Sequence, residues 1–266
     1  PVMTPVGGTV VLNFTSDPQI RYDRFTARWY MTIIDVPCTN ATCTTTAANR
    51  LLMAVSDAAS AGTISGTTVW TLFQFQPSPG TDFCDYPSLG VDVNALYIGC
   101  NMFSSAGSFV GTNGYVVRKS TTLGAGPITV TSFANLAAGA GAGPFSPRGV
   151  DNVDPASTEG YFLGVDNATF STMMFRRVSS PGSATPTISA NISVAVATTT
   201  FPNRVEHLGN TGGANGGLDS LDDRIYAASI RNGRLWAAHN FRVSSAGVAH
   251  TAAQSRNAPR WYEFQN

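Results

Sequence analysis

Charge is scarce in this sequence. Asp, Glu, Lys and Arg make up 12% of its 266 residues, about half the usual share, and they cancel at 16 of each sign. Lysine is nearly missing: Lys119 stands alone and every other Lys/Arg cation is an arginine. With no basic stripe to displace counterions, nucleic acid is excluded as a partner. Histidine is limited to His207, His239 and His250, and no Gly-x-Ser-x-Gly elbow occurs, so a serine-hydrolase triad has nothing to stand on. The apolar runs at 94–98 and 193–197 fall far short of the roughly 20 residues of a membrane-spanning helix. The Gly-rich run 210–217 lacks the Lys-Ser/Thr of a phosphate loop. Helical periodicity is also lacking, because the one candidate stretch, 45–61, is interrupted by the strand-like Leu51-Leu52-Met53-Ala54-Val55.

What is present is a short apolar or alternating run followed by a Gly, Asn, Ser or Pro turn, many times over. The runs are 28–36, 51–56, 69–75, 95–101, 115–120, 128–133, 161–165, 173–178, 188–196, 224–230, 235–241 and 260–264. That number of strands means a sandwich, a barrel or a propeller. A longer self-similarity separates them. The segments 17–23, 85–92, 146–151 and, more loosely, 218–223 each read as a turn ending in Asp. Each precedes an apolar strand with an aromatic near its start, such as Arg28-Trp29-Tyr30, Ala95-Leu96-Tyr97 or Gly160-Tyr161-Phe162. Sheets repeated about every 60 residues bury their faces by radial stacking. The sequence therefore predicts one all-β domain over 1–266, a propeller of four or five blades, with a β-sandwich with long loops as the alternative. Residues 8–14 offer an extra strand and 261–264 a closing one.

Four cysteines form an even set without Cys-x2-Cys zinc spacing. Cys38 and Cys43 bracket a four-residue tip that a disulfide would close, which leaves Cys84 with Cys100; buried free thiols are the competing reading. Disulfides and low charge place the protein in a secreted or cell-surface setting. The chain opens Pro1-Val2-Met3-Thr4 with no leader, which points to a mature form or a C-terminal fragment of a longer chain.

In a propeller, residues just before each first strand converge on one mouth of the central channel. By that logic Arg21, Asp23, Asp85, Asp92, Arg148, Asp151, Asp219 and Asp222 line one funnel, joined by His207. The competing reading is that each Asp caps its own turn through backbone N–H groups. Asp219, Asp222 and Asp223 lie close together in sequence and offer oxygens of the kind calcium takes, though no EF-hand spacing surrounds them, and no cofactor is required. The tryptophans, Trp29, Trp70, Trp236 and Trp261, read as core rather than as sugar platforms.

The string Asp85-Tyr86-Pro87-Ser88-Leu89-Gly90-Val91-Asp92 running into Ala95-Leu96-Tyr97-Ile98, with Asp17-Pro18 and Arg28-Trp29-Tyr30, resembles exported bacterial β-propeller proteins of Asp-box, sialidase-like look. The Asp-box itself is split here into Val55-Ser56-Asp57 and Gly66-Thr67-Thr68-Val69-Trp70. The resemblance implies a propeller and export. Three functions fit: a recognition or scaffold module for polysaccharide or an extracellular protein, a glycoside hydrolase with paired Asp residues in the funnel, or a structural subunit of a surface assembly.

Overall fold

The computed structural model describes residues 10–59, 61–209, 216–252 and 255–265. Among them there is no α-helix, and one 3-10 turn spans Lys119–Thr122. The strands form four sheets. The first is a meander of β1 (Leu12–Asp23), β2 (Arg28–Cys38), β3 (Leu51–Ser56) and β4 (Trp70–Phe75). In the second, β5 (Phe83–Asp85) and β6 (Gly90–Val91) both pair with β7 (Ala95–Phe103), followed by β8 (Phe109–Arg118) and β9 (Val130–Ala138). β10 (Pro144–Gly149) opens the third sheet, and β11 (Asp151–Asn152) leaves it at once for the fourth. The third continues with β12 (Glu159–Asp166) and β13 (Thr172–Ser179), on which β14 (Thr187–Ile188) and β15 (Ile192–Ala195) both pair. The fourth holds β11 in parallel with β16 (Ala227–Arg231), then β17 (Arg234–Val243) and β18 (Arg256–Phe264).

The all-β expectation holds, with one correction to the repeat. Two of the four Asp-ending segments read as turns are largely strand, 85–92 is strand only in part, and 218–223 lies outside the named strands, as a turn would. Residues 17–23 are the second half of β1, 85 ends β5 while 90–91 form β6, and 146–151 run from β10 into β11. Their backbones pair with the next strand, Asp23 opposite Arg28 and Asp85 opposite Asn101, and only their polar side chains made them look like turns. The expected strand at 8–14 begins outside the described residues, and β1 starts at Leu12.

Alternation along β7 shows why the sheets stack. Leu96, Ile98, Cys100 and Met102 join a core with Tyr30, Ile34, Leu51, Met53 and Val55 of the first sheet. Ala95 and Tyr97 point the other way, to Phe162 and Val178 of the third. Both faces of β7 are thus buried, so a strand of ordinary length reads as one continuous apolar run. β12 repeats the device: Phe162 faces the second sheet, while Leu163 and Val165 pack with Phe175, Ile225, Leu235 and Ala237 toward the fourth. Each fully buried Leu or Ile contributes about 1.5–3 kcal/mol.

The second and third sheets approach more closely than side chains allow. A Cβ on Gly99 would lie 1.9 Å from the Pro147 carbonyl oxygen, and one on Gly149 would lie 2.1 Å from that of Tyr97. Ser88 stitches the backbones: its hydroxyl accepts from Gly99 N and Gly149 N at 3.0 Å and donates to Pro147 O at 2.8 Å. Asn101 adds a reciprocal pair with Ser146, at 2.8 and 3.0 Å. The disulfides are Cys38–Cys43 and Cys84–Cys100, as the spacing predicts.

No hydrophobic cluster among the described residues joins the fourth sheet to the first. The free face of the first sheet lines an open apolar groove of about 820 Å³ that includes Met31, Ile33, Leu52, Ala54 and Leu72. The expectation of core tryptophans fails: Trp29 and Trp70 are half-buried and join none of the hydrophobic clusters, and the two on the fourth sheet are exposed. Trp236 is 36% and Trp261 67% exposed, with ring centroids 5.6 Å apart, because their register positions face away from the third sheet.

His239 is buried in the β17 face against the third sheet. Its Nδ1–H donates to the Asp223 carbonyl at 2.6 Å, which fixes the tautomer and leaves Nε2 to accept from the Tyr262 hydroxyl at 3.1 Å. Burial lowers its pKa to about 4. An imidazole held neutral in the folded state favours folding above its unfolded pKa of about 6.5, and this contribution fades as pH falls toward 4.

Two predictions follow from the packing. Ser88→Ala strands two N–H groups and a carbonyl and should cost about 3 kcal/mol in urea unfolding, with Gly99→Ala worse; a loss below about 0.5 kcal/mol for Ser88→Ala would overturn this role for the seam. Between about pH 7 and pH 4, wild type should lose on the order of 3 kcal/mol more than His239→Gln, which keeps one donor and one acceptor; parallel pH curves would contradict the neutral, buried histidine.

Candidate functional site

Polar side chains from all four sheets lie close together around β1, β6, β10 and β11. Arg21 lies on β1 opposite Tyr30, and its Nε donates to Asp151 Oδ2 at 3.0 Å. Asp151 is on β11, and its Oδ1 accepts from Val91 N of β6 at 3.0 Å. One carboxylate thereby ties together the first, second and fourth sheets. Arg148 projects from β10 of the third sheet and is 7% exposed. Burial, and then Arg21, lower its pKa, opposed by Tyr86 and Asp151.

Over Tyr86 lies Arg224, its guanidinium 4.1 Å from the ring centroid. Asp222 grips that guanidinium in a two-pronged contact, Nε to Oδ1 at 2.8 Å and Nη2 to Oδ2 at 2.6 Å. Burial works against the Arg224 charge and the Asp222 carboxylate more than offsets it. Tyr226 completes this side: its hydroxyl donates to Ser220 O at 3.1 Å, and burial, then Tyr86, push its pKa up to about 12. Asp85, at the end of β5, has its carboxyl pKa raised by burial and by Asp17, which occupies the β1 bulge at φ 54°.

Of the residues singled out in the sequence, Arg21, Asp85, Arg148, Asp151 and Asp222 fall in this cluster. Asp23 and Asp92 do not. They form a separate buried node on Lys119, whose Nζ lies 2.9 Å from Asp23 Oδ2 and also donates to the Asp92 carbonyl. Asp23 further accepts from Phe25 N and the Thr26 hydroxyl, and Asp92 from Asn94 N, Ala95 N and the Tyr97 hydroxyl. Both cap turns while pairing a buried cation. His207 is exposed, with its ring against the Leu208 carbonyl.

The calcium expectation on Asp219, Asp222 and Asp223 meets a geometric obstacle, because the three carboxylates have separate partners. Asp219 accepts from Leu221 N at 2.8 Å, Asp222 holds Arg224, and buried Asp223 accepts from the Thr199 hydroxyl at 2.5 Å. Among the described residues no three His, Cys, Asp or Glu side chains are grouped to hold a metal. Most of the preceding Gly-rich loop, 210–215, lies outside the described residues.

Tyr86, Arg224, Tyr226 and Asp17 were missed by sequence reasoning. Tyr86 and Arg224 had a signal, each sitting one or two residues from a chosen Asp.

No family model matches this chain, and no curated protein matches it. Seven chains of solved structures do. One is described as a GH43 β-1,3-galactosidase, 15% identical, with a TM-score of 0.39, over 94% of this chain and 43% of that one. This chain thus spans less than half the length of that relative, and no chemistry follows from so loose a likeness.

No helix among the described residues is long and apolar enough to cross a membrane. Asp151→Ala, which removes the partner of Arg21 and of Val91 N, should lower stability by about 2 kcal/mol in urea unfolding at low salt, with partial recovery at high salt. A salt-independent loss would show that Asp151 acts by shape rather than by charge.

Proposed function

We propose that the chain is an extracellular recognition module whose four sheets are propeller blades, and that the cluster at their convergence binds a polysaccharide. The observation that supports binding is the state of its carboxylates. Asp151 is held by Arg21 and Val91 N, and Asp222 by Arg224, so these acids orient guanidinium groups and are poorly placed to move protons. Arginine, tyrosine and carboxylate groups brought from distant parts of the sequence offer many donors and acceptors, which suits a hydroxyl-rich ligand. The two disulfides support a setting outside the reducing cytosol.

One feature favours glycoside hydrolysis as a second reading. Burial, and then Asp17, raise the pKa of the Asp85 carboxyl; a general acid needs such a carboxyl.

A glycan array, run with calcium and with chelator while each glycan is sampled for cleavage, tests both readings. Binding without cleavage is expected, and binding unchanged by chelator would leave Asp219, Asp222 and Asp223 without a metal role. Cleavage that is lost in Asp85→Asn would install the hydrolase instead. Silence across the array would remove both and leave a structural subunit, for which the uncovered apolar groove is the relevant surface.

A further inference from the structure

The outer face of the fourth sheet carries two indoles among polar side chains. Trp236 on β17 and Trp261 on the edge strand β18 are 36% and 67% exposed, and their ring centroids lie 5.6 Å apart at an interplanar angle of 33°. The register makes them diagonal neighbours, with Trp236 opposite Glu263 and Trp261 opposite Ala238. On β16, Ser229 lies opposite Trp236 and Ala227 opposite Ala238, so the side chains next to the rings are too short to cover them. Polar groups bracket the pair. Arg234 is ion-paired with Glu263, Arg231 lies opposite Arg234, and Asn240 follows on the same face of β17.

The composition of this face decides what can cover it. The free face of the first sheet, with Met31, Ile33, Leu52, Ala54 and Leu72, is apolar across neighbouring strands, as a surface that packs against protein is. A protein sheet laid on the fourth would instead take Arg231, Arg234 and Glu263 out of water, at a cost that two indoles do not offset. A sugar chain leaves those groups hydrated. A pyranose with equatorial hydroxyls has C–H bonds on its faces and hydroxyls around its rim, so it can lie flat on an indole while its rim meets arginine, glutamate and serine side chains.

We propose that Trp236 and Trp261 form an aromatic platform on which a neutral polysaccharide of equatorial, β-linked sugars, of the cellulose type, stacks its rings. None of the platform residues belongs to the arginine cluster, so this is a second binding surface, which shares only its ligand class with the recognition reading above.

Calorimetric titration of the whole chain with cellohexaose, with tryptophan emission followed in parallel, tests the platform. Wild type should bind with a change in emission and with the same affinity at low and high salt, because stacking is not screened. Trp261→Ala removes an exposed side chain and should unfold in urea as wild type does, yet bind about 10-fold or more weakly; Trp261→Phe should recover part of the loss. Undiminished binding by Trp261→Ala, affinity that collapses in high salt, or no binding of cellohexaose by wild type would overturn the proposal. So would a wild-type dimer that Trp261→Ala dissociates, which would make the face a contact between copies. On the glycan array, a Trp261→Ala protein that keeps every glycan bound by wild type would remove the platform and leave the recognition reading standing. Loss of cellohexaose alone would support two separate surfaces, and loss of every glycan would support the platform and remove the cluster.

Discussion

Two glycines and one serine hydroxyl set how closely the second and third sheets approach, and β6 and β11 take their positions from that spacing. A side chain at Gly99 or Gly149 would drive into a backbone carbonyl, and Ser88 supplies the hydrogen bonds that two backbones so close would otherwise lack. Val91, three residues beyond Ser88, is thereby brought to Asp151, two residues beyond Gly149. The apolar cores on either side of β7 hold the sheets together, but they do not fix this register, because side chains of Leu and Val tolerate small slides that a three-bond hydroxyl does not.

So little charge is present that its placement is informative. The chain builds two kinds of ionic node. Around Lys119 every group is satisfied: one amine, the Asp23 carboxylate and the Asp92 carbonyl, closed off by turn N–H groups. Around Arg21 the node is shared between sheets: one Asp151 oxygen takes the guanidinium and the other takes Val91 N. A satisfied node is what a fold needs.

Much of this was readable from residues alone, and the failures share one cause. β7 and β12 announce themselves because both faces are apolar, and 51–56 matches β3 residue for residue. Segments 17–23 and 146–151 read as turns because strands lining a polar convergence carry Asp, Arg, Pro and Gly, the same residues that make turns. Function and fold compete for those positions, and sequence shows only the composition that results. The same ambiguity divided the candidate site. Asp92 and Asp151 precede their strands alike, yet Asp92 folds back onto Asn94 and Ala95 while Asp151 reaches Arg21, 130 residues away in sequence. That choice depends on tertiary distance, which local pattern does not contain. Trp236 and Trp261 were assigned to the core by residue type, and their exposure follows from which face of β17 and β18 they occupy.

The burial of Lys119 has a chemical corollary. It is the only lysine in the sequence and is 3% exposed, clamped between an Asp carboxylate and a carbonyl. Every lysine side-chain amine of the folded protein is therefore shielded, and reagents that seek such amines, from glycating sugars to acylating cross-linkers, find none at its surface. All its accessible Lys/Arg cations are guanidinium groups, which stay protonated far beyond the pH at which an amine would let go. A protein made this way keeps its exposed positive charges under alkaline conditions that would neutralise an amine.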